Sequence, residues 1–322
     1  MRQDFNNIAA FLQVVETGSI SAAALRLNLA KSVVSKRITD LEAELGVELL
    51  HRSTRGVIPT DKGLAYHTRA REIMQQLDMA ADEITDRGDD LCGQLRINAP
   101  MSFGTLYLGL LLFPLLSRHP RLEVALNFDD RLNDILNEGY DLAIRIGRLQ
   151  ESSLVARKLA ISRRVVCCSP DYARRVGLPT SLEEIANHTC IGYANIHSSQ
   201  IWQFEPEESG DEIRSLVVRS RVVLNNGEAM HDAAIAGLGL VVFPQFIAAE
   251  ALASGELIPV LPDVTPVPDV IYAVYPHRRH VPRKIRMVID HLVAKLNGEP
   301  PWEREIESSN PSSEDESAKH HQ

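Results

Sequence analysis

The sequence predicts a mostly helical N-terminal head carrying a winged helix-turn-helix, then a long linker helix, then a C-terminal α/β domain. Three observations predict it. Between Ser19 and Leu41 two short apolar-periodic patterns stand a few residues apart, the second with Lys31, Ser32, Ser35, Lys36 and Arg37 along its outer side. From 61 to 89 apolar residues recur at alternating spacings of three and four. Beyond residue 90 the period changes, and short strand-like runs alternate with helical ones.

Taken in order, residues 5–16 form the first helix, with Phe5, Ile8, Ala9, Phe11, Leu12 and Val15 on its apolar side and Gly18 at its end. In the two helices that follow, small Ala23 and Ala24 allow close approach, while Leu27, Val34, Ile38 and Leu41 make the stripe that rests on a third helix. The second of them runs to about Leu45 and stops at Gly46. Residues 48–60 read as a hairpin, the wing, with Gly56 at the turn and Arg52 and Arg55 at the tip. Thr60 can cap the long helix, in which Met74, Leu77, Ala81 and Ile84 continue a stripe begun by His67 and Ala70. So sustained a stripe suits pairing with a second helix, a dimerisation seam, better than a local core.

In the rest of the chain, strands are expected at 94–99, 122–127, 141–146, 154–159, 164–169, 217–224, 239–243 and 270–275. Helices are expected from 102 onward, through Leu132, Ile135 and Leu136, and at 171–176, 182–187, 227–236 and 284–296. Such alternation implies a mostly parallel sheet with covered faces. The boundaries drawn are a head over 1–60, a linker helix over 61–90 and a sensing domain over 91–298. Residues 299–322, rich in Glu, Ser, Pro and Asn, read as a disordered acidic tail.

Composition narrows the class. A chain of 322 residues, 44% apolar and 24% charged, is ordinary for a soluble protein of two or three domains. No run of eighteen apolar residues exists; the longest candidate, 106–116, is interrupted by Pro114 and closed by Arg118, as suits a buried helix. The polar start from Arg2 to Asn7 lacks a signal-peptide core, so a cytoplasmic location is expected. Cys92, Cys167, Cys168 and Cys190 show no metal-ligand or redox spacing and read as reduced thiols. The net charge of −9 is unevenly spread: from Glu299 onward seven acids face two bases, whereas residues 1–71 hold ten bases against seven acids. An acidic chain with a locally basic head fits contact with DNA through one small face.

In this order the parts resemble those of LysR-type transcriptional regulators over roughly residues 3–297. The stretches that carry the resemblance are Ser19-Ile-Ser-Ala-Ala-Ala24, Val34-Ser-Lys-Arg-Ile-Thr-Asp-Leu-Glu-Ala-Glu-Leu-Gly46, Leu49-Leu-His-Arg-Ser-Thr-Arg55 and Thr60-Asp-Lys-Gly63. Asp141-Leu-Ala-Ile-Arg-Ile-Gly147 and Gly237-Leu-Gly-Leu-Val-Val-Phe-Pro244 agree. The resemblance implies a dimerising linker and a periplasmic-binding-protein-like effector domain of two α/β lobes, lobe I about 91–166 with 270–298 and lobe II about 167–269. It further implies a small molecule between the lobes, a homodimer or homotetramer, binding to promoter DNA, and RNA polymerase as a partner if the chain activates. Two departures are visible. Ala30 stands where Ser or Thr commonly caps the recognition helix, a loss of about 1 kcal/mol, and Asn28 replaces a frequent Gly, which it can do because Asn tolerates the left-handed conformation.

A recognition helix needs donors on its N-terminal half, where it lies deepest in the major groove. Lys31, Ser32, Ser35 and Lys36 stand there; Arg37 points to the side, toward backbone phosphate, and Arg52, Thr54 and Arg55 on the wing face the neighbouring minor groove or its phosphates. In α/β lobes ligands sit at the carboxyl ends of strands, against helix N-termini. Ser102 and Phe103, Asp129 with Asp130 and Arg131, Arg145, and Asn226 occupy such places, with Trp202 as an apolar wall. Helix N-termini favour anions, so a small carboxylate or acidic phenol is the expected effector. No nucleotide-binding, nucleophile-elbow or zinc-protease motif occurs, which disfavours an enzyme and calls for no cofactor. The alternative is a ligand-independent repressor or architectural DNA-binding protein, for which a two-lobed domain would have no purpose.

Overall fold

The computed structural model describes residues 4–53, 56–84, 90–131, 135, 138–149, 153–195, 200–206, 212–277, 281–298 and 300–303, with backbone alone at 52, 53, 72, 75 and 78–84. The chain divides into two compact units, 1–89 and 90–322.

In the first unit α1 (Phe5–Thr17), α2 (Ile20–Arg26) and α3 (Lys31–Leu45) precede the hairpin of β1 (Leu50–Ser53) and β2 (Gly56–Pro59) and the long α4 (Asp61–Ile84). Asp4 caps α1 by accepting from the Asn6 N–H, and Gly18 ends it in the left-handed conformation. Ser19 caps α2 in the same way. One core forms when Phe11, Leu12 and Val14 of α1 meet Ala23 and Ala24 of α2 and Val34, Ile38 and Leu41 of α3. The hairpin is tied to this core at both ends. The Glu42 carboxylate accepts from the N–H groups of Leu49 and Leu50 at 2.9 and 3.1 Å, and the Val57 N–H donates to Gly18 O at 3.0 Å. Its exit is capped by Thr60, whose hydroxyl accepts from the Gly63 N–H. Asn28 takes φ +52° in the turn between α2 and α3, the conformation expected of it.

The first half of the stripe on α4 serves this core rather than a partner helix. Ala70 is buried in it, Tyr66 and Met74 pack against it, and the Phe11 ring lies 5.6 Å from that of Tyr66 and 6.4 Å from that of His67. Leu64, Ile73 and Leu77, each about half exposed, are turned outward from it.

In the second unit, β3 (Gly93–Ala99), β4 (Leu122–Phe128), β5 (Leu142–Ile146), β6 (Leu154–Ser162) and β14 (Asp269–Pro276) form one sheet in the order β4-β3-β5-β14-β6. Between β3 and β4 run α5 (Met101–Phe103), a π-helical turn over Gly104–Leu108, and α6 (Gly109–Arg118). By length and composition Met101–Arg118 could cross a bilayer. Here Phe103, Leu108, Leu112 and Leu115 are instead buried against the sheet together with Ile285, Val288 and Leu292 of α10 (Arg283–Leu296). This is lobe I.

Lobe II holds β7 (Arg164–Cys168), α7 (Pro170–Val176), a 3-10 turn (Glu183–Asn187), β8 (Thr189–Tyr193), β9 (Ile201–Phe204), β10 (Arg214–Val217), β11 (Arg219–Leu224), α8 (Gly227–Ile235), β12 (Val241–Pro244), α9 (Gln245–Ser254) and β13 (Ile258–Pro259). Its strands pair as β12-β7-β13, with β8 and β11 parallel beside them through the Cys190–Leu240 bridge and β9–β10 as a separate hairpin. No disulfide joins the four cysteines, and burial pushes Cys168 up to about 11 and Cys190 up to about 12, so neither of these two is a thiolate at neutral pH.

Three expectations change. The sheets are mixed, not mostly parallel: β3 pairs in parallel with β4 and β5, but β14 runs antiparallel to both β5 and β6. The chain leaves lobe I after β6 and re-enters it as β14, and a strand returning from the other lobe meets its neighbours head to tail. The exit falls at Arg163, a few residues before the boundary expected at 166. The chain also does not lose its fold at 299: Trp302, placed in the tail by composition, is wholly buried in the lobe I core. Five elements were missed (β8, β9, β10, α9 and β13), and the helix expected through Leu132 and Leu136 lies outside the described residues.

A Cβ added at Gly63 would stand 2.0 Å from Leu49 O, a backbone atom of the strand entrance. Gly63→Ala is therefore expected to destabilise the head by about 1–3 kcal/mol, or more if the hairpin cannot shift. Denaturant unfolding of the full chain measures it, and an unchanged midpoint for the head transition contradicts it.

Candidate functional site

Two places on the chain concentrate exposed or gap-facing polar side chains. The first is the outer side of α3. Val34, Ile38 and Leu41 are buried, so the opposite face is turned out, and Lys31, Ser32 and Lys36 are exposed while Ser35 and Arg37 are partly so. Ala30 provides no side-chain cap. Its carbonyl accepts from the Val33 and Val34 N–H groups, while those of Lys31 and Ser32 have no intrahelical acceptor at this end. The missing cap thus leaves open donors beside two lysines and a serine, an arrangement suited to a phosphate. Of the wing residues, Arg52 lies on β1 with its side chain outside the described residues, and Thr54 and Arg55 lie outside them altogether. Ala81 and Ile84 lie on α4 but their side chains are likewise outside.

The second place is the gap between the lobes, where the N-terminal ends of α5 and α8 meet. Gly227 opens α8 with so little room that a Cβ there would stand 2.6 Å from the Ser102 hydroxyl. Ser102 itself is only 6% exposed. Asn226 caps α8 by accepting from the Ala229 N–H at 2.8 Å. Its amide donates to the Glu228 carboxylate and contacts Met101 Sδ, both at 3.1 Å, and the latter contact crosses the gap. Asp130 caps α5 from the side, accepting from the Met101 N–H at 2.7 Å, and is also hydrogen-bonded to the Tyr193 hydroxyl from lobe II.

Burial raises the Asp130 carboxyl above the ordinary carboxylate range, and the charges of Asp129 and Glu228 push the same way against the hydrogen bonds from Met101 and Tyr193. Burial also holds the Tyr193 hydroxyl up at about 12. One N–H at each of the two helix ends is therefore already bonded to an acceptor of the chain itself, and at α5 that acceptor is a carboxylate.

Other expected effector contacts fall elsewhere. Asp129 forms a 2.7 Å ion pair with Arg131. Arg145 donates to Asn98 Oδ1 at 2.5 Å and to Ile144 O at 3.2 Å, within its own sheet, where burial lowers its pKa. Phe103 and Trp202 are core residues of lobes I and II, respectively, not walls of the gap. Tyr193 was missed, since its sole sequence signal was its position at the carboxyl end of an unrecognised strand, and Glu228 stands at the end of the 225–228 run expected to open a helix at the cleft, with no role assigned to it.

The chain matches the description "Bacterial regulatory helix-turn-helix protein, lysR family" over residues 5–64 and "LysR substrate binding domain" over residues 88–297. It is 36% identical over 280 residues to an uncharacterised HTH-type transcriptional regulator of Haemophilus influenzae, covering 87% of this chain and 96% of the other. With the HTH-type transcriptional regulator PtxR of Pseudomonas aeruginosa it shares 33% identity over 299 residues, 92% and 94% of the two chains. Among solved structures, that of CrgA, a LysR-type transcriptional regulator from Neisseria meningitidis, aligns with a TM-score of 0.57 at 30% identity, covering 92% of this chain and 100% of that one. With its helix-turn-helix head and two-lobed effector domain, the chain belongs to the LysR family of DNA-binding transcriptional regulators.

Proposed function

We propose that this regulator reads a promoter operator with the outer side of α3 and is switched by a small molecule seated between its lobes. The observation that carries the first part is the division of α3 itself: an apolar stripe buried in the head, with Lys31, Ser32 and Lys36 turned the other way. In this reading Lys36 reaches guanine O6 and N7, Ser32 and Ser35 meet base edges or phosphate, and Lys31 and Arg37 grip the backbone. Arg52, Thr54 and Arg55 of the wing hold the adjacent groove. The chain acts by binding rather than turnover, in the cytoplasm where its operator is, with RNA polymerase as a further partner if it activates.

For the sensing step, what favours an effector over a ligand-independent protein is Ser102, a residue only 6% exposed whose hydroxyl faces the start of α8 in the other lobe. The effector turns a hydrogen-bond donor toward Asp130 and bridges Ser102 and Asn226. Any carboxylate it carries lies at its far end, because Asp130 and Glu228 already load this spot with negative charge. Association of subunits rests on the outward part of α4, where Ile73 and Leu77 stand one turn apart and where Ala81 and Ile84 follow at helical spacing in the sequence. Met74, expected in the seam, belongs to the head's own core.

Three outcomes test these assignments. Lys36→Ala should weaken operator binding about tenfold and reduce the slope of log K against log salt by about one ion, read by fluorescence anisotropy; an unaltered titration sinks the assignment. Leu77→Glu should shift the full-length chain toward smaller species in analytical ultracentrifugation, and an unchanged distribution removes α4 as the seam. Asp130 is more easily protonated folded than unfolded, so the stability it contributes is present at low pH and declines as pH rises through its raised value. Asp130→Asn keeps an oxygen for the Met101 N–H; it should raise the melting temperature at about pH 7, with the gain shrinking toward about pH 3. A gain independent of pH would contradict this.

A further inference from the structure

Trp302 lies beyond residue 297, where the match to the LysR substrate binding domain ends, yet none of it reaches solvent. Three rings from two different parts of the domain enclose it. Tyr107 stands 4.9 Å away between centroids and Phe103 6.1 Å, both in the segment that leaves β3 of lobe I. Phe246, at 5.7 Å, is the second residue of α9, which follows β12 of lobe II. All three meet the indole edge to face, the favourable geometry for aromatic pairs.

The contacts of the neighbouring residue lead to the same place. The Glu303 N–H donates to Pro300 O at 3.0 Å, closing a single turn, and its carboxylate lies 3.7 Å from the Arg163 guanidinium. Arg163 is the one residue between β6 of lobe I and β7 of lobe II. Its carbonyl accepts from the Gln245 N–H at 2.8 Å, directly before Phe246. The other crossover is held beside it by Arg164 and Asp269, 3.7 Å apart. Residues 300–303 therefore touch the first crossover and the helices flanking it on both sides. Phe103 also adjoins Ser102, which faces the proposed effector.

One atom is not accommodated. Trp302 Nε1 is buried with no hydrogen-bond partner among the described residues. The seat fits the ring but denies its N–H what water would supply, so the docked state is held by ring packing against an unmet donor. The unmet donor offsets about 1–3 kcal/mol of what the ring packing contributes, which makes this seat weaker than a fully satisfied one.

We propose that residues 300–303 form an intramolecular clasp, in which Trp302 docks reversibly in the seat of Phe103, Tyr107 and Phe246 and holds the two lobes at one angle about Arg163. Its use in switching rests on the effector reading above, since a ligand that shifts Ser102 must press Phe103 on the indole. The docking itself does not rest on it.

Hydrogen exchange on the full-length chain without effector tests the clasp. In Trp302→Ala, amides at 160–166 and 268–271 should exchange about tenfold faster, while Trp302→Phe, which keeps a ring in the seat, stays near the native rate. Faster exchange confined to the vacated seat (101–108 and 245–249), or no change, overturns the proposal. A chain ending at Gly298 with a synthetic peptide of residues 299–322 gives a second reading. The peptide should bind and restore slow exchange at both crossovers, and the same peptide carrying Trp302→Ala should do neither. Failure of the native peptide to bind, or global unfolding of both the variant and the shortened chain, makes Trp302 an ordinary core residue and overturns the clasp. An effector screen that finds nothing leaves this result untouched, so the two readings fail separately.

Discussion

A helix can bury only one stripe, and much of what this chain does depends on which stripe each helix buries. On α3 the burial of Val34, Ile38 and Leu41 against Phe11 and Ala23 turns Lys31, Ser32 and Lys36 outward. The hydrophobic term acts on the apolar side, but its consequence is the orientation of the polar one. The same constraint divides α4. Ala70 and Met74 are drawn into the head, while Ile73 and Leu77 are left outward. A period of three and four shows that a stripe exists; it does not say how many neighbours share it.

In the effector domain the corresponding constraint is the chain's double passage between lobes. Lobe I is completed only when the chain returns from lobe II as β14, which lies between β5 and β6. The two crossovers lie side by side, joined by the Arg164–Asp269 pair. Burial raises the Asp269 carboxyl while Arg164 and Arg148 favour its charged form, so burial and pairing oppose each other at the hinge. Movement of one lobe on the other must pass through these few residues, which is why a tail residue packed beside them has leverage out of proportion to its size.

The gap between the lobes carries an electrostatic lesson. Helix N-termini are anion sites only while their N–H groups are free. Asp130 satisfies the Met101 N–H and Asn226 the Ala229 N–H. Beside them stand the Ser102 hydroxyl and the carboxylates of Asp130 and Glu228, with Tyr193 linking Asp130 to the other lobe. In the effector reading proposed above, these carboxylates favour a ligand that turns a hydrogen-bond donor toward them.

The sequence by itself determined the helix-turn-helix, the wing, the long helix and the alternation of strands and helices, because each is written in local periodicity and in caps such as Ser19, Gly18 and Thr60. It also determined the outer residues of α3, since the buried stripe and its complement are read from the same few positions. Only the tertiary structure decided that β14 runs antiparallel, that Phe103 and Trp202 are core, that Asp130 and Tyr193 bridge the lobes, and that Trp302 is folded in. Each of these depends on partners more than fifty residues away in the chain, as with Trp302 and Phe246, or on which of two packing faces wins. Composition placed Trp302 in a solvated tail because it averages over neighbours in sequence, whereas burial is decided by neighbours in space.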